Sequence, residues 1–172
     1  MKKYFAFLFA VVIFTSVTLN AQSLAIGPQV GLVKSNDADN TSIMPGLALR
    51  LNLLGFGLEG SIYYKSEEFQ NGLIKTKSYP INLTAFVNVL PIVHAEAGIG
   101  WYDTKIDFSH PINSISSETK TKPGYHIGAG AQIPAGNILL TGDIRYVFLD
   151  LSSAVSFKSN FYVIMIGAMF SI

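Results

Sequence analysis

The sequence predicts an all-β fold, a single eight-stranded antiparallel up-and-down β-barrel that crosses a membrane. Three observations predict it. Apolar residues recur at every second position in eight separate stretches, the links between them are short and long in strict alternation, and six of the eight carry an aromatic residue on the apolar face beside a long link. Alternation points to strands, because successive side chains on a strand face opposite ways while those on a helix wind around it. The link lengths bear on connectivity, and the aromatics on the solvent that the apolar face meets.

The totals bound the problem. A chain of 172 residues is one domain by default. Only 13% of residues are charged and the formal net charge is +1, so no clustered basic surface for nucleic acid is present. Without cysteine there is no disulfide framework, thiolate metal site or lipid-modified cysteine anchor. A hydrophobic share of 49% implies either a generous core or a membrane.

Residues 1–21 read as a signal peptide. "MKK" is a positive start, "YFAFLFAVVIF" an apolar run, and "TSVTLNAQS" a small and polar exit with cleavage expected after Ala21. The apolar run is shorter than the ~20 residues of a spanning helix, as is the C-terminal "FYVIMIGAMFSI". Residues 22–172 then form the exported barrel domain.

Each strand follows from its alternation. "SLAIGPQVGLV" sets Leu24, Ile26, Pro28, Val30 and Leu32 against Ala25, Gly27, Gln29 and Gly31. "GLALRLNLL" sets Leu47, Leu49, Leu51 and Leu53 against Gly46, Ala48, Arg50 and Asn52. "FGLEGSIYYK" opposes Phe56, Leu58, Gly60, Ile62 and Tyr64 to Gly57, Glu59, Ser61, Tyr63 and Lys65. In "YPINLTAFVNV" the apolar face runs Tyr79, Ile81, Leu83, Ala85, Val87, Val89. "VHAEAGIGWY" places Val93, Ala95, Ala97, Ile99 and Trp101 opposite His94, Glu96 and Tyr102. "YHIGAGAQI" places Tyr125, Ile127, Ala129, Ala131 and Ile133 opposite His126, Gly128, Gly130 and Gln132. "GNILLTGDIRYVFLD" puts Leu140, Gly142, Ile144, Tyr146 and Phe148 on one face and Thr141, Asp143 and Arg145 on the other. Tyr162 to Ile172 is the eighth strand.

Two-residue hairpins are expected at Gly55-Phe56 and Ala135-Gly136, with a three-residue turn around Pro91. The long links fall at about 35–45, 66–77, 103–123 and 149–160. A meander with all short turns at one end is how transmembrane barrels are connected; Greek-key crossings of a sandwich would break the regularity. At the long-link end the apolar face carries Tyr64, Tyr79, Trp101, Tyr125, Tyr146 with Phe148, and Tyr162, an interfacial aromatic belt whose ring bodies are buried in lipid and whose polar tips are wet. Below the belt about nine residues at ~3.3 Å, tilted by ~40°, cover roughly 23 Å, close to the apolar band of such barrels.

The polar face must then point inward. It gathers Arg50, Lys65 and Arg145 with Glu59, Glu96, Asp143 and His126 into an interior polar network, since buried charges persist only when paired. The expected turns oppose Gly128 to Asp143, His126 to Arg145, Asn52 to Glu59, Arg50 to Ser61, Phe86 to Glu96 and Asn88 to His94. Backbone groups in lipid have no other partners, so the sheet must close.

The final "GAMFSI", with Gly167, Phe170 and Ile172, looks like the C-terminal signal read by barrel-assembly machinery. Together with "GYHIGAGAQIP" and "LLTGDIRYVFLDL" it resembles the small outer-membrane β-barrel domain family, related to outer membrane protein A and outer membrane protein X, over residues 22–172. One departure is the terminal Ile where the family pattern has Phe. The resemblance implies a location in the cell outer membrane and a shape more than an activity.

Candidate chemistry is sparse. His94 and His126 face inward, away from any lipid substrate, and Ser109–His110 are adjacent on an extended chain and point apart. Asp103, Asp107 and His110 lack a turn or helix to fix them around a cation. "GAGAQIPAG" lacks phosphate-loop spacing, and the "NLT" at Asn82 lies mid-strand. No catalytic, cofactor or metal residue is expected. The expected partners are outer-membrane lipid, the barrel-assembly machinery during biogenesis, and an extracellular partner at loop 103–123. The expected role is non-enzymatic: membrane stability and display of surface loops for adhesion or partner contact. The rival readings are a small porin-like channel, an outer-membrane lipid-modifying enzyme, and a soluble lipocalin-type carrier. The last needs its apolar face inside.

Overall fold

A computed structural model describes residues 23–35, 40–69, 74–108, 118–149 and 160–172. The expected signal peptide at 1–21 and the pair Ser109–His110 lie outside these residues. The strands are β1 (Ser23–Ser35), β2 (Ser42–Asn52), β3 (Phe56–Tyr63), β4 (Lys65–Phe69), β5 (Ile74–Asn88), β6 (Val93–Phe108), β7 (Glu118–Ala135), β8 (Ile138–Leu149) and β9 (Phe161–Ser171). β3 and β4 are two parts of one wall strand with a break at Tyr64; both pair with β5, Phe56 opposite Val87 and Lys65 opposite Ser78, in one continuous register.

Every strand runs antiparallel to its neighbours, and β9 pairs back onto β1 from Ala25–Ser171 to Ser35–Phe161. The sheet is therefore a closed eight-stranded antiparallel barrel with no free lateral edge through its body. Closure gives the wall's backbone groups partners that lipid cannot supply. At the closing seam the ladder skips Gly27 and Pro28, and Pro28 has no N–H to contribute. Following the cross-strand partners once around the wall from Ala25, through Arg50, Glu59, Thr84, Gly98, His126, Val147 and Phe161, returns to β1 at Ser35, ten residues further on. That stagger tilts the strands, at roughly 35–45° in barrels of this kind.

The two faces separate as the alternation predicts. Ile26, Leu47, Ile62, Leu83, Ile127, Ile144 and Ile166 are exposed on the outside, while Gln29, Arg50, Glu59, Glu96, Asp143 and Arg145 are buried inside. This is the inverse of a soluble carrier barrel, whose apolar face lines the lumen.

Two hairpins differ from expectation by one turn position. The first turns at Leu54-Gly55, where Gly55 takes φ +81°, and Asn52 pairs with Gly57. The other turns at Gly136-Asn137, where Gly136 takes φ +66°, and Ala135 pairs with Ile138. In each case the glycine occupies a left-handed conformation that side chains disfavour, and this selects the turn. Moving the turn by one residue shifts the pairing by two. Arg50 thus faces Glu59 rather than Ser61, Gly130 faces Asp143, and His126 faces Val147 rather than Arg145. A shift of two leaves every side chain on its expected face. The turn after β5 matches expectation, with Phe86 opposite Glu96 and Asn88 opposite His94.

The strands also extend into the expected long links. β5 and β6 pair as far as Ile74–Phe108, and β6 and β7 as far as Ile106–Glu118. The β4–β7 sheet thus rises past the aromatic positions.

Candidate functional site

The lumen is built around two arginines that tie its walls together. Arg50 on β2 donates from Nε to Glu59 Oε2 at 2.8 Å and from Nη2 to the same oxygen at 2.5 Å, and Nη2 also reaches Asp143 Oδ2 on β8 at 3.1 Å. Arg145 on β8 grips Glu96 on β6 with two parallel bonds, Nε to Oε1 at 2.7 Å and Nη2 to Oε2 at 2.9 Å, and Nη2 bonds Glu59 Oε1 at 2.9 Å. Paired bonds of this fork geometry are what guanidinium supplies and ammonium does not. His94 Nε2 lies 2.9 Å from Asp143 Oδ1, and Gln29 Nε2 donates to Glu59 Oε2 at 3.2 Å. Tyr63 donates its hydroxyl to Gln29 Oε1. Phe86 lies under the Arg50 guanidinium, 5.0 Å from the ring centroid, and against the His94 ring.

Lys65 stands apart from this cluster, at the long-link end. Its Nζ is 2.8 Å from Glu67 Oε2 and 3.7 Å from the Phe161 ring centroid, and Ser35 Oγ donates to Glu67 at 2.7 Å. The expectation of Arg50, Lys65 and Arg145 balancing Glu59, Glu96 and Asp143 is therefore redrawn. Two guanidiniums and His94 meet three carboxylates in the centre, and Lys65 takes Glu67. Sequence reasoning passed over Glu67 because residues 66–77 read as a link, although its parity with Lys65 was available as a signal.

His94, Glu96 and Asp143 bring ligand atoms within 4.8 Å of one another. Their carboxylates already bind Arg50 and Arg145, so a divalent cation there would face two guanidiniums. The donor set suits ion pairs rather than a metal. His126 Nε2 lies 2.9 Å from Thr84 Oγ1, buried within the lumen and turned away from the outer surface.

Ring side chains lie over two of the inner glycines. A Cβ on Gly46 would meet the Tyr63 ring, and one on Gly57 the Phe86 ring; both are directly opposed cross-strand pairs. A void beside Asn82, Tyr102, His126 and Arg145 measures about 10 Å³, at the lower limit for a single water.

The aromatic residues stand outside and pair with each other. Tyr64 and Tyr79 have ring centroids 5.4 Å apart, and Tyr146 lies 4.5 Å from Tyr162 and 4.7 Å from Phe148. Trp101 and Tyr125 are exposed on the same face. At the C-terminus Phe170 points outward opposite Ile26 and Ile138, Gly167 faces inward between Gln29 and Thr141, and Ile172 donates its N–H to the Leu24 carbonyl.

No family model and no curated protein matches the chain. Solved structures do. The attachment invasion locus protein Ail of Yersinia pestis superposes with a TM-score of 0.56 at 22% identity, over 89% of this chain and 99% of that one. Neisserial surface protein A gives 0.59 at 12% identity, over 87% and 96%. A major outer membrane protein of Thermus thermophilus gives 0.58 at 10%, over 87% and 99%. The chain has the fold of the small outer-membrane barrels. The likeness spans nearly the full length of each of these chains, so the shared unit is the complete barrel.

Proposed function

We propose that this protein is a non-enzymatic barrel of the bacterial outer membrane, exported by residues 1–21, that stiffens the bilayer and presents its long loops to a partner outside the cell. The observation that carries the reading is the pairing of an apolar outer wall with an ion-paired, side-chain-filled lumen. Such a wall has no stable place in water, and such a lumen offers neither a ligand chamber nor a lipid-facing nucleophile. Phe170, Ile172 and Gly167 serve the assembly machinery, and the aromatic belt sits at the outer interface.

The contact surface is the sheet that β4 to β7 raise beyond the belt, including loop 103–123. Ail has been crystallised in complex with the heparin analogue sucrose octasulfate, and the shared fold supports contact with an extracellular partner here. An extended edge at this height would also admit a partner strand. Deleting residues 105–119 is expected to leave the heat-modifiable gel mobility of a folded barrel unchanged and to abolish adhesion of expressing cells to host-type surfaces. Unchanged adhesion would exclude this loop as the contact.

A further inference from the structure

The apolar surface does not stop where the strands end. The β2–β3 and β5–β6 turns and their flanks carry Leu53, Leu54, Phe56, Val89, Leu90 and Ile92, with Leu54 and Val89 each 65% exposed and Leu90 59%. Residues 51–58 and 85–93 contain no charged side chain. The two turns are neighbours in space, because the Asn88 N–H donates to the Gly55 carbonyl at 2.9 Å. They form one apolar patch continuous with the wall above, and a contiguous patch of this kind marks an interface.

The polar groups at this end are engaged within the protein. The Leu53 N–H donates to the Phe56 carbonyl at 2.8 Å, and the Val89 and Leu90 N–H groups donate to the Val93 carbonyl at 2.9 and 3.1 Å. The Ile92 carbonyl accepts from the Gln132 N–H at 2.8 Å, and Pro91 has no N–H to satisfy. Asn52 Nδ2 donates to Ser23 Oγ at 3.2 Å, and Gln132 Nε2 to Asn88 Oδ1 at 3.4 Å. Hydrocarbon demands such pairing of turn backbone, whereas water does not. Height points the same way. From Tyr79 in the belt to Val89 is ten residues, about 25 Å at ~3.3 Å per residue and ~40° of tilt. The apolar zone around an outer-membrane barrel is itself about 25–30 Å tall, so with the belt at one interface the other lies at or beyond Val89. Among the described residues the outward aromatics at this end are Phe56 and Phe170, whose rings have no polar tip to anchor in water. The β7–β8 turn differs, with Asn137 exposed.

We propose that the β2–β3 and β5–β6 turns form a lipid-embedded foot, seated among the acyl tails of the inner leaflet rather than in the aqueous periplasm. The proposal rests on the outer-membrane reading above. Trp101 is the chain's one tryptophan, so Trp101→Phe clears the background for single reporters: Leu54→Trp and Leu90→Trp in the foot, Leu83→Trp on the wall and Asn137→Trp in the β7–β8 turn. Each variant is folded into phosphatidylcholine vesicles, with heat-modifiable mobility read on each. Its emission is then titrated with phosphatidylcholine brominated on the acyl chains and, separately, with iodide present on both sides of the membrane. Leu54→Trp and Leu90→Trp are expected to lose most of their emission to brominated chains and little to iodide, as Leu83→Trp does, and Asn137→Trp the reverse. Iodide quenching of the two foot reporters as strong as that of Asn137→Trp would put the turns in water and overturn the proposal. Resistance to both quenchers would also overturn it, since a second copy of the chain would then cover the patch. Leu83→Trp quenched by iodide and not by brominated lipid refutes the membrane reading itself, whereas the same result confined to the foot reporters refutes only the foot.

Discussion

Glu59 accepts from Arg50 on the neighbouring strand and from Arg145 across the lumen, with Gln29 as a third donor. Buried ion pairs contribute little net stability relative to apolar packing, but removing one partner strands the other. Glu59→Ala leaves two arginines short of acceptors and is expected to cost about 3–5 kcal/mol, read as a lower urea midpoint for the folded band in micelles. A midpoint within error of wild type would mean the network carries no strain on loss. The glycine seats behave differently. Gly57→Val drives a side chain into the Phe86 ring and the Leu51 carbonyl, with an expected cost of about 1–3 kcal/mol from overpacking. Alternation in the sequence showed which side each of these residues faces, because parity alone decides it. It did not show that Tyr63 and Phe86 lie over Gly46 and Gly57, because an inward glycine in a one-dimensional pattern is equally a void or a seat.

At the scale of elements, strand existence and facing were legible and hairpin register was not. A period of two is insensitive to where a turn sits, whereas pairing depends on which residue takes positive φ. Gly55 and Gly136 do so; each belongs to the expected turn but takes the other of its two positions. Gly55→Val is expected to cost about 1–2 kcal/mol through the left-handed penalty alone, measured by the same urea titration; Gly60→Ala, at ordinary strand geometry in open space, is not. In the sequence the upper reaches of β4, β6 and β7 read as links because their outward residues turn polar above the belt. Glu68, Lys75, Asp103 and Lys105 break the apolar alternation while the ladder continues beneath them.

The whole molecule is a closed wall around a packed and charged centre. Arg50 spans from β2 to β8 and Arg145 from β8 to β3 and β6, so the lumen is crossed by ion pairs at one level and filled by Phe86, Tyr63 and Tyr102 around them. A barrel of this width has just room for side chains. The protein is accordingly expected to be silent in planar bilayers, and steady unitary conductance would show a continuous water path that the packed lumen does not provide. The location, unlike the fold, rests on the outer face: aliphatic residues through the span and paired aromatics at one rim.

The central claim is that apolar side chains meet acyl tails while ionic ones point to the barrel axis. The chain has no cysteine, so single cysteines introduced along β8 and spin-labelled in lipid bilayers report one site at a time. Collisional relaxation by lipid-dissolved oxygen is expected to be strong at Leu140, Ile144 and Phe148 and weak at Leu139, Thr141 and Val147, a period of two with this phase. The opposite phase, or equal relaxation at all six positions, would contradict the account.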